Sequence, residues 1–236
     1  MIRINKRRWL IGVSSCLLLG SWQQSTAVVL DTRAYTLGLI SDYIGRSIVP
    51  TSSQMRHRID SFYQDEQPLI DVLGTMLRSD HYAFKLAPNY QANCLNCHEF
   101  TILTSPRLAA QLNSSYRFQR IGWDEDENKT YMGQLSKPRL YNDQARLSFV
   151  AGAYARYGSH QADSFFISLA NSTSKYSLLL KSLKQLGQEQ IVANMRPGVP
   201  VSQRIAFVPE GKLRQYLQAQ NPIVDSIQAR NARRNR

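Results

Sequence analysis

The chain has 236 residues, of which 43% are hydrophobic and 19% charged, with a formal net charge of +12. That length supports a hydrophobic core without disulfide or metal staples, and that composition excludes a disordered polymer. Much of the charge is terminal: Arg3, Lys6, Arg7 and Arg8 lie at one end and Arg230, Arg233, Arg234 and Arg236 at the other, which leaves +4 for residues 28–228.

The first 27 residues fall into three parts. A basic start is followed by an apolar run from Trp9 to Gly20, and Ser25, Thr26 and Ala27 then supply the small residues of a cleavage site. The run is too short to span a membrane, so the pattern predicts a signal peptide over 1–27 and export to the periplasm or the medium. Val13-Ser14-Ser15-Cys16 resembles a lipobox, which would anchor the chain through Cys16. Few apolar residues precede Cys16, however, and Leu17, Leu18 and Leu19 follow it, so this reading ranks second.

Residues 28–139 read as a mainly helical region with long irregular stretches. Arg33 to Gly45 places Tyr35, Leu37, Leu39, Ile40, Tyr43 and Ile44 near one helical face. "TSSQMRHRIDSFY" opens on N-cap residues and carries Met55, Ile59 and Phe62 at helical spacing. "QPLIDVLGTML" has Pro68 in its first turn, where a missing N–H does no harm. "SPRLAAQLN" predicts a short helix, and "GWDEDENKTYMGQLSKPRLY" a loop-rich connection.

Residues 140–220 read as a small α-β-α-β-β-α unit. A helix over "NDQARLSFVAGAYARYG" precedes the strand "SFFISLA"; the capped helix "NSTSKYSLLLKSLKQLG" follows, stopped by Gly187. "EQIVANM" and "QRIAFV" are strands joined by the turn "RPGVPV", and "PEGKLRQYLQAQ" closes as a helix. Residues 221–236 read as a basic flexible tail suited to weak contact with an anionic membrane or an acidic protein. The fold class predicted is mixed α+β.

"NCLNCHEF" holds the remaining chemistry, with Cys94, Cys97 and His98 in a CxxCH spacing. Two cysteines three apart can each form a thioether to haem, and the histidine after the second can ligate the iron. These five residues, with the export signal, resemble c-type cytochromes. The resemblance implies a covalent haem c on Cys94 and Cys97, His98 as proximal ligand and a mono-haem protein in electron transfer or redox sensing. Its partner would be a redox protein or a membrane-associated complex. Met132, 34 residues beyond His98, is the candidate distal metal ligand, although it lacks the adjacent proline common in small cytochromes. Export argues against nucleic acid as a partner.

Other readings of the same residues stay open. Cys94 and Cys97 can form a plain disulfide in an exported, non-enzymatic interaction protein without cofactor, or a working one in a thiol oxidoreductase. A zinc site would need further ligands. Asp124, Asp126 and Asn128 echo the start of a calcium loop, but Lys129 and Leu135 occupy the positions where such a loop needs glycine and glutamate. Asn171, Ser172, Thr173 and Lys175 sit where a strand meets a helix, and either hold a small anion or cap that helix. No other enzyme motif stands out, and whether the chain is an enzyme stays open.

Overall fold

The computed structural model describes residues 28–89, 100–123, 127–136 and 138–234. The expected signal peptide and Cys16 lie outside these residues. Two helices form the centre. Helix α1 (Thr32–Leu39) starts at Asp31, whose carboxylate accepts from the Ala34 N–H at 2.7 Å. Helix α5 (Asp143–Tyr157) starts at Asn142, whose side chain accepts from the Ala145 N–H at 2.8 Å. Ten of the 15 residues of α5 are buried, which makes it a core helix rather than an amphipathic surface helix.

The helices touch through their backbones. A Cβ added at Gly38 would stand 2.0 Å from the Phe149 carbonyl oxygen, and one at Gly152 would stand 2.0 Å from that of Tyr35. Each glycine meets the residue three positions before the other, so the contact is reciprocal. Only glycine permits this approach, because any Cβ would overlap the neighbouring main chain.

The remaining elements repeat around this pair. In the first half α1 leads to β1 (Arg46–Ile48), α2 (Ser53–His57), β2 (Arg58–Tyr63), α3 (Gln67–Ser79), β3 (Lys85–Asn89), β4 (Phe100–Thr104) and α4 (Pro106–Asn113). A hairpin follows, of β5 (Tyr116–Trp123) and β6 (Lys129–Leu135). In the second half α5 leads to β7 (Gly158–Gln161), β8 (Ser164–Ala170), α6 (Thr173–Gln185), β9 (Ile191–Arg196), β10 (Ser202–Phe207), α7 (Gly211–Gln218) and α8 (Asn221–Arg234). The sheets run β2-β4-β3 and β7-β8-β10-β9, all antiparallel. The path α1-β2-α3-β3-β4-α4 is thus repeated as α5-β8-α6-β9-β10-α7, with the same strand order in both sheets. The hairpin and β1 form a third sheet, β1-β6-β5, outside the repeat.

The mixed α+β class holds, and the order expected for 140–220 is seen with one strand added, β7, between α5 and β8. The first half differs from its reading as mainly helical. Only Ser53–His57 of "TSSQMRHRIDSFY" is helical, and Arg58–Tyr63 is β2. A β-bulge between Arg58 and Asp60 lets Ile59 and Phe62, three apart, both be buried, which imitates a helical face. The expected loop around Met132 is the hairpin β5–β6. Its inner residues Tyr116, Phe118, Gly133 and Leu135 alternate with polar neighbours, so the solvated face hides the strand pattern.

The tail is also corrected: α8 covers Asn221–Arg234, with Val224 and Ile227 buried at helical spacing. One cluster of buried residues runs from Ala34 to Ile227 and crosses the boundary expected at 139/140. No helix among the described residues is long and apolar enough to cross a membrane.

Candidate nucleic-acid interface

A buried ionic junction lies where α1 and α5 end. Arg156, in the last turn of α5, donates to Asp60 of β2 at 2.5 Å and to the two carboxylate oxygens of Glu66 at 2.7 and 3.0 Å. It also reaches the Ser61 carbonyl at 3.0 Å. Burial works to lower the Arg156 pKa, but Tyr157, Asp60 and Glu66 hold it well above the ordinary value. Arg46 of β1 donates to the carbonyls of Ile59 at 2.8 Å and Arg58 at 2.6 Å.

Lys175, in the first turn of α6, is buried. It donates to the Ile40 carbonyl and stands 3.4 Å from Asp42. Burial lowers its pKa, and Asp42 opposes that shift. These contacts tie β2 to the central pair through Asp60 and the β8–α6 turn through Lys175, while Arg46 ties β1 to β2.

The junction offers no free carboxylate pair. Asp42 stands beside Lys175 through Oδ1 while its Oδ2 is buried without a hydrogen-bond partner, and Asp60 and Glu66 share Arg156. One uncommitted oxygen, Oδ2 of Asp42, falls short of the several oxygen donors that a divalent cation needs. Among the described residues no group of three or more His, Cys, Asp or Glu side chains is placed to hold a metal ion.

The strands carry a different pattern outside. Eight strand residues are cationic: Arg46, Arg58, Lys85, Arg117, Arg120, Lys129, Arg196 and Arg204. The acidic residue among the described strand positions is Asp60, which is turned inward. Lys85, Arg117, Arg120, Lys129, Arg196 and Arg204 are exposed. The register explains why they share faces. Arg58 and Lys85 flank Thr104 from either side of the first sheet. Arg196 lies opposite Ser202, two positions from Arg204, so both arginines face away from buried Gln203, Ile205 and Phe207. Arg204 is laid over the Phe166 ring at 4.4 Å, which keeps its guanidinium on the sheet surface. The remaining described acids lie on helices, caps and turns.

The residues picked out in the sequence are dispersed. Cys94, Cys97 and His98 lie outside the described residues, as do Asp124 and Asp126. Met132 lies in β6, and its side chain packs over Gly45. Asn128 accepts from the Thr51 hydroxyl at 2.9 Å. The strand-to-helix turn does not present an anion site. Asn171 accepts from the Val201 N–H at 2.7 Å, the Ser172 N–H donates to Gln203 at 2.9 Å, and Lys175 is turned into the core.

No protein-family profile matches the sequence, and no curated protein matches it. Solved structures similar to the chain include full-length DUF199/WhiA from Thermatoga maritima, at 11% identity and a TM-score of 0.45. That likeness covers 87% of this chain and 63% of the WhiA chain, so this chain spans less than two thirds of that protein's length. Mesophilic variants of the homing endonuclease I-DmoI are similar at 13% identity and a TM-score of 0.49, over 83% of this chain and 94% of theirs. I-DmoI in complex with DNA and Mn is similar at 15% identity and a TM-score of 0.48, over 79% of this chain and 92% of its own. These likenesses concern the arrangement of elements and assign no ligand.

They run to proteins of this kind and not to c-type cytochromes, which overturns the cytochrome resemblance. The covalent haem c, the electron-transfer role, the redox partner and the exclusion of nucleic acid are withdrawn with it. So is the cofactor-free disulfide protein that stood as the alternative. A five-residue motif is a local pattern that any fold can carry, and export alone could not make it specific.

Proposed function

We propose that this protein binds nucleic acid through the solvent faces of its sheets, without cutting it. One observation carries the reading: six of the eight cations on the described strands are exposed while the one described strand acid is buried in an ion pair. A polyanion gains from such a surface by releasing its condensed counterions, and a duplex offers regularly spaced phosphates to a rigid sheet. Guanidinium groups suit phosphate because their planar fork matches two oxygens. The buried junction beneath the sheets supports rigidity rather than chemistry. Asp60 and Glu66 are held by Arg156, and Asp42 is paired with Lys175 through one of its two oxygens.

Fluorescence anisotropy with a labelled duplex tests this between about 50 and 200 mM salt. The affinity is expected to fall linearly in log–log form. The double variant Arg196→Ala/Arg204→Ala is expected to bind more weakly, with the slope reduced by about 0.9 for each phosphate that is no longer neutralised. Lys181→Ala/Lys184→Ala removes two exposed cations from helix α6 instead, and is expected to bind as the unmodified chain does. Absence of salt-dependent binding, or an equal weakening in the helix variant, would refute a sheet-borne interface.

A further inference from the structure

The hairpin β5–β6 stands outside the repeated fold, joined to it by β1 on one side. Its register aligns Trp123 with Lys129 and Arg120 with Tyr131, so these four share one face beyond the β-bulge at Arg120/Gly122. The Arg120 guanidinium lies 4.3 Å from the centre of the Trp123 ring, and the Lys129 Nζ lies 5.8 Å from it. Trp123 is nonetheless 56% exposed, and Ile121 beside it 57%. Asp124, Glu125 and Asp126, which follow in the sequence, lie outside the described residues.

We propose that Trp123 is a stacking platform for an unpaired base, with Arg120 and Lys129 placed for the phosphates beside it. Every base has a flat face that stacks on an indole, so the contact needs no sequence. A base inside a duplex is already stacked on both faces and cannot take the ring. The consequence is a preference for duplexes that carry a single-stranded end. An acidic peptide would match the two cations but has no use for the open ring, which is why nucleic acid fits the cluster better. The inference rests on the nucleic-acid reading above and adds the single-strand preference.

The full chain has three tryptophans, Trp9, Trp22 and Trp123. In a Trp9→Phe/Trp22→Phe background Trp123 is the sole emitter. This protein is titrated with a blunt duplex and with the same duplex carrying an oligothymidine overhang. The expected result is about tenfold tighter binding of the overhang duplex, with Trp123 emission quenched by that ligand alone. Trp123→Ala should lower the affinity for the overhang duplex to that for the blunt one. Trp123→Tyr, which keeps a ring, should retain part of the preference, and stands in if the alanine variant does not fold. Equal affinity for the two ligands with unquenched emission would overturn the stacking platform and leave the sheet interface standing. Binding of neither ligand would overturn both.

Discussion

Arg156 donates to Asp60, to Glu66 and to the carbonyls of Leu39 and Ser61. Its side chain is 5% exposed, and its two acidic partners are 10% and 12% exposed. Such a network contributes through the cost of breaking it, since removing one partner strands the others in a poorly solvated place. Arg156→Met keeps the apolar stem and leaves Asp60 and Glu66 uncompensated. It should lower stability by about 3–5 kcal/mol, read as a shifted midpoint in urea unfolding. A decrease below about 1 kcal/mol would mean that water reaches the junction and replaces the guanidinium. Nothing in the local sequence marks this arginine. It becomes significant because the fold brings residues 60, 66 and 156 together.

At the scale of elements, the contact of α1 with α5 decides the architecture. Their glycines let the two backbones meet, and the reciprocal spacing of Gly38 and Gly152 sets the two halves of the chain around one another. Gly152→Ala places a methyl group against the Tyr35 carbonyl, whose main chain cannot move without disturbing the Asp31 cap of α1. The expected cost is about 3 kcal/mol, at the upper end of the ordinary range for overpacking. Gly187→Ala is a useful comparison, because its cost would come from backbone conformation alone. Gly187 has a φ of +73° and no atom within 4 Å of an added Cβ. If Gly152→Ala proved the milder change in thermal unfolding, the close helix contact would not be the organising feature. The helices of the second half were legible from their caps and stops. The strands of the first half were not, because a bulge in β2 and a solvated face on β5–β6 disguise the two-residue period.

Across the whole molecule, charge is sorted by element type. Among the described residues the strands carry cations with Asp60 as their acid, while the helices carry both signs, although residues 28–228 have a net charge of only +4. A net value cannot show which elements carry the charge, and the sequence argued against nucleic acid from the export signal alone. The interior has its own pH signature. Burial raises the pKa values of Tyr35, Tyr116, Tyr154 and Tyr157 above the ordinary 10.0. The folded chain therefore keeps these protons while the unfolded chain releases them near pH 10. Their contribution is fully present below that pH and is lost as the pH rises toward the folded-state values. Urea midpoints measured from about pH 8 to 11 should fall above pH 10, and Tyr35→Phe should flatten the fall. Midpoints that stayed level up to pH 11 would show that these hydroxyls are not shielded.

The amino-acid sequence by itself determined the class of fold, the strands β8, β9 and β10 of the second half and the ends of helices α5, α6 and α7, but neither strand β7 nor helix α8. Those features rest on short-range physics: side-chain caps, glycine stops and apolar periodicity within one element. It also drew attention to Cys94, Cys97 and His98, because reactive side chains close in sequence are the easiest pattern to see. Only the tertiary structure decided the rest. The backbone contact of two helices, an arginine shared between β2 and α5, and a sheet face that brings Arg58 and Lys85 to either side of Thr104 all join residues far apart in the chain. Their proximity comes from the path of the main chain around a common core, which no local spacing encodes.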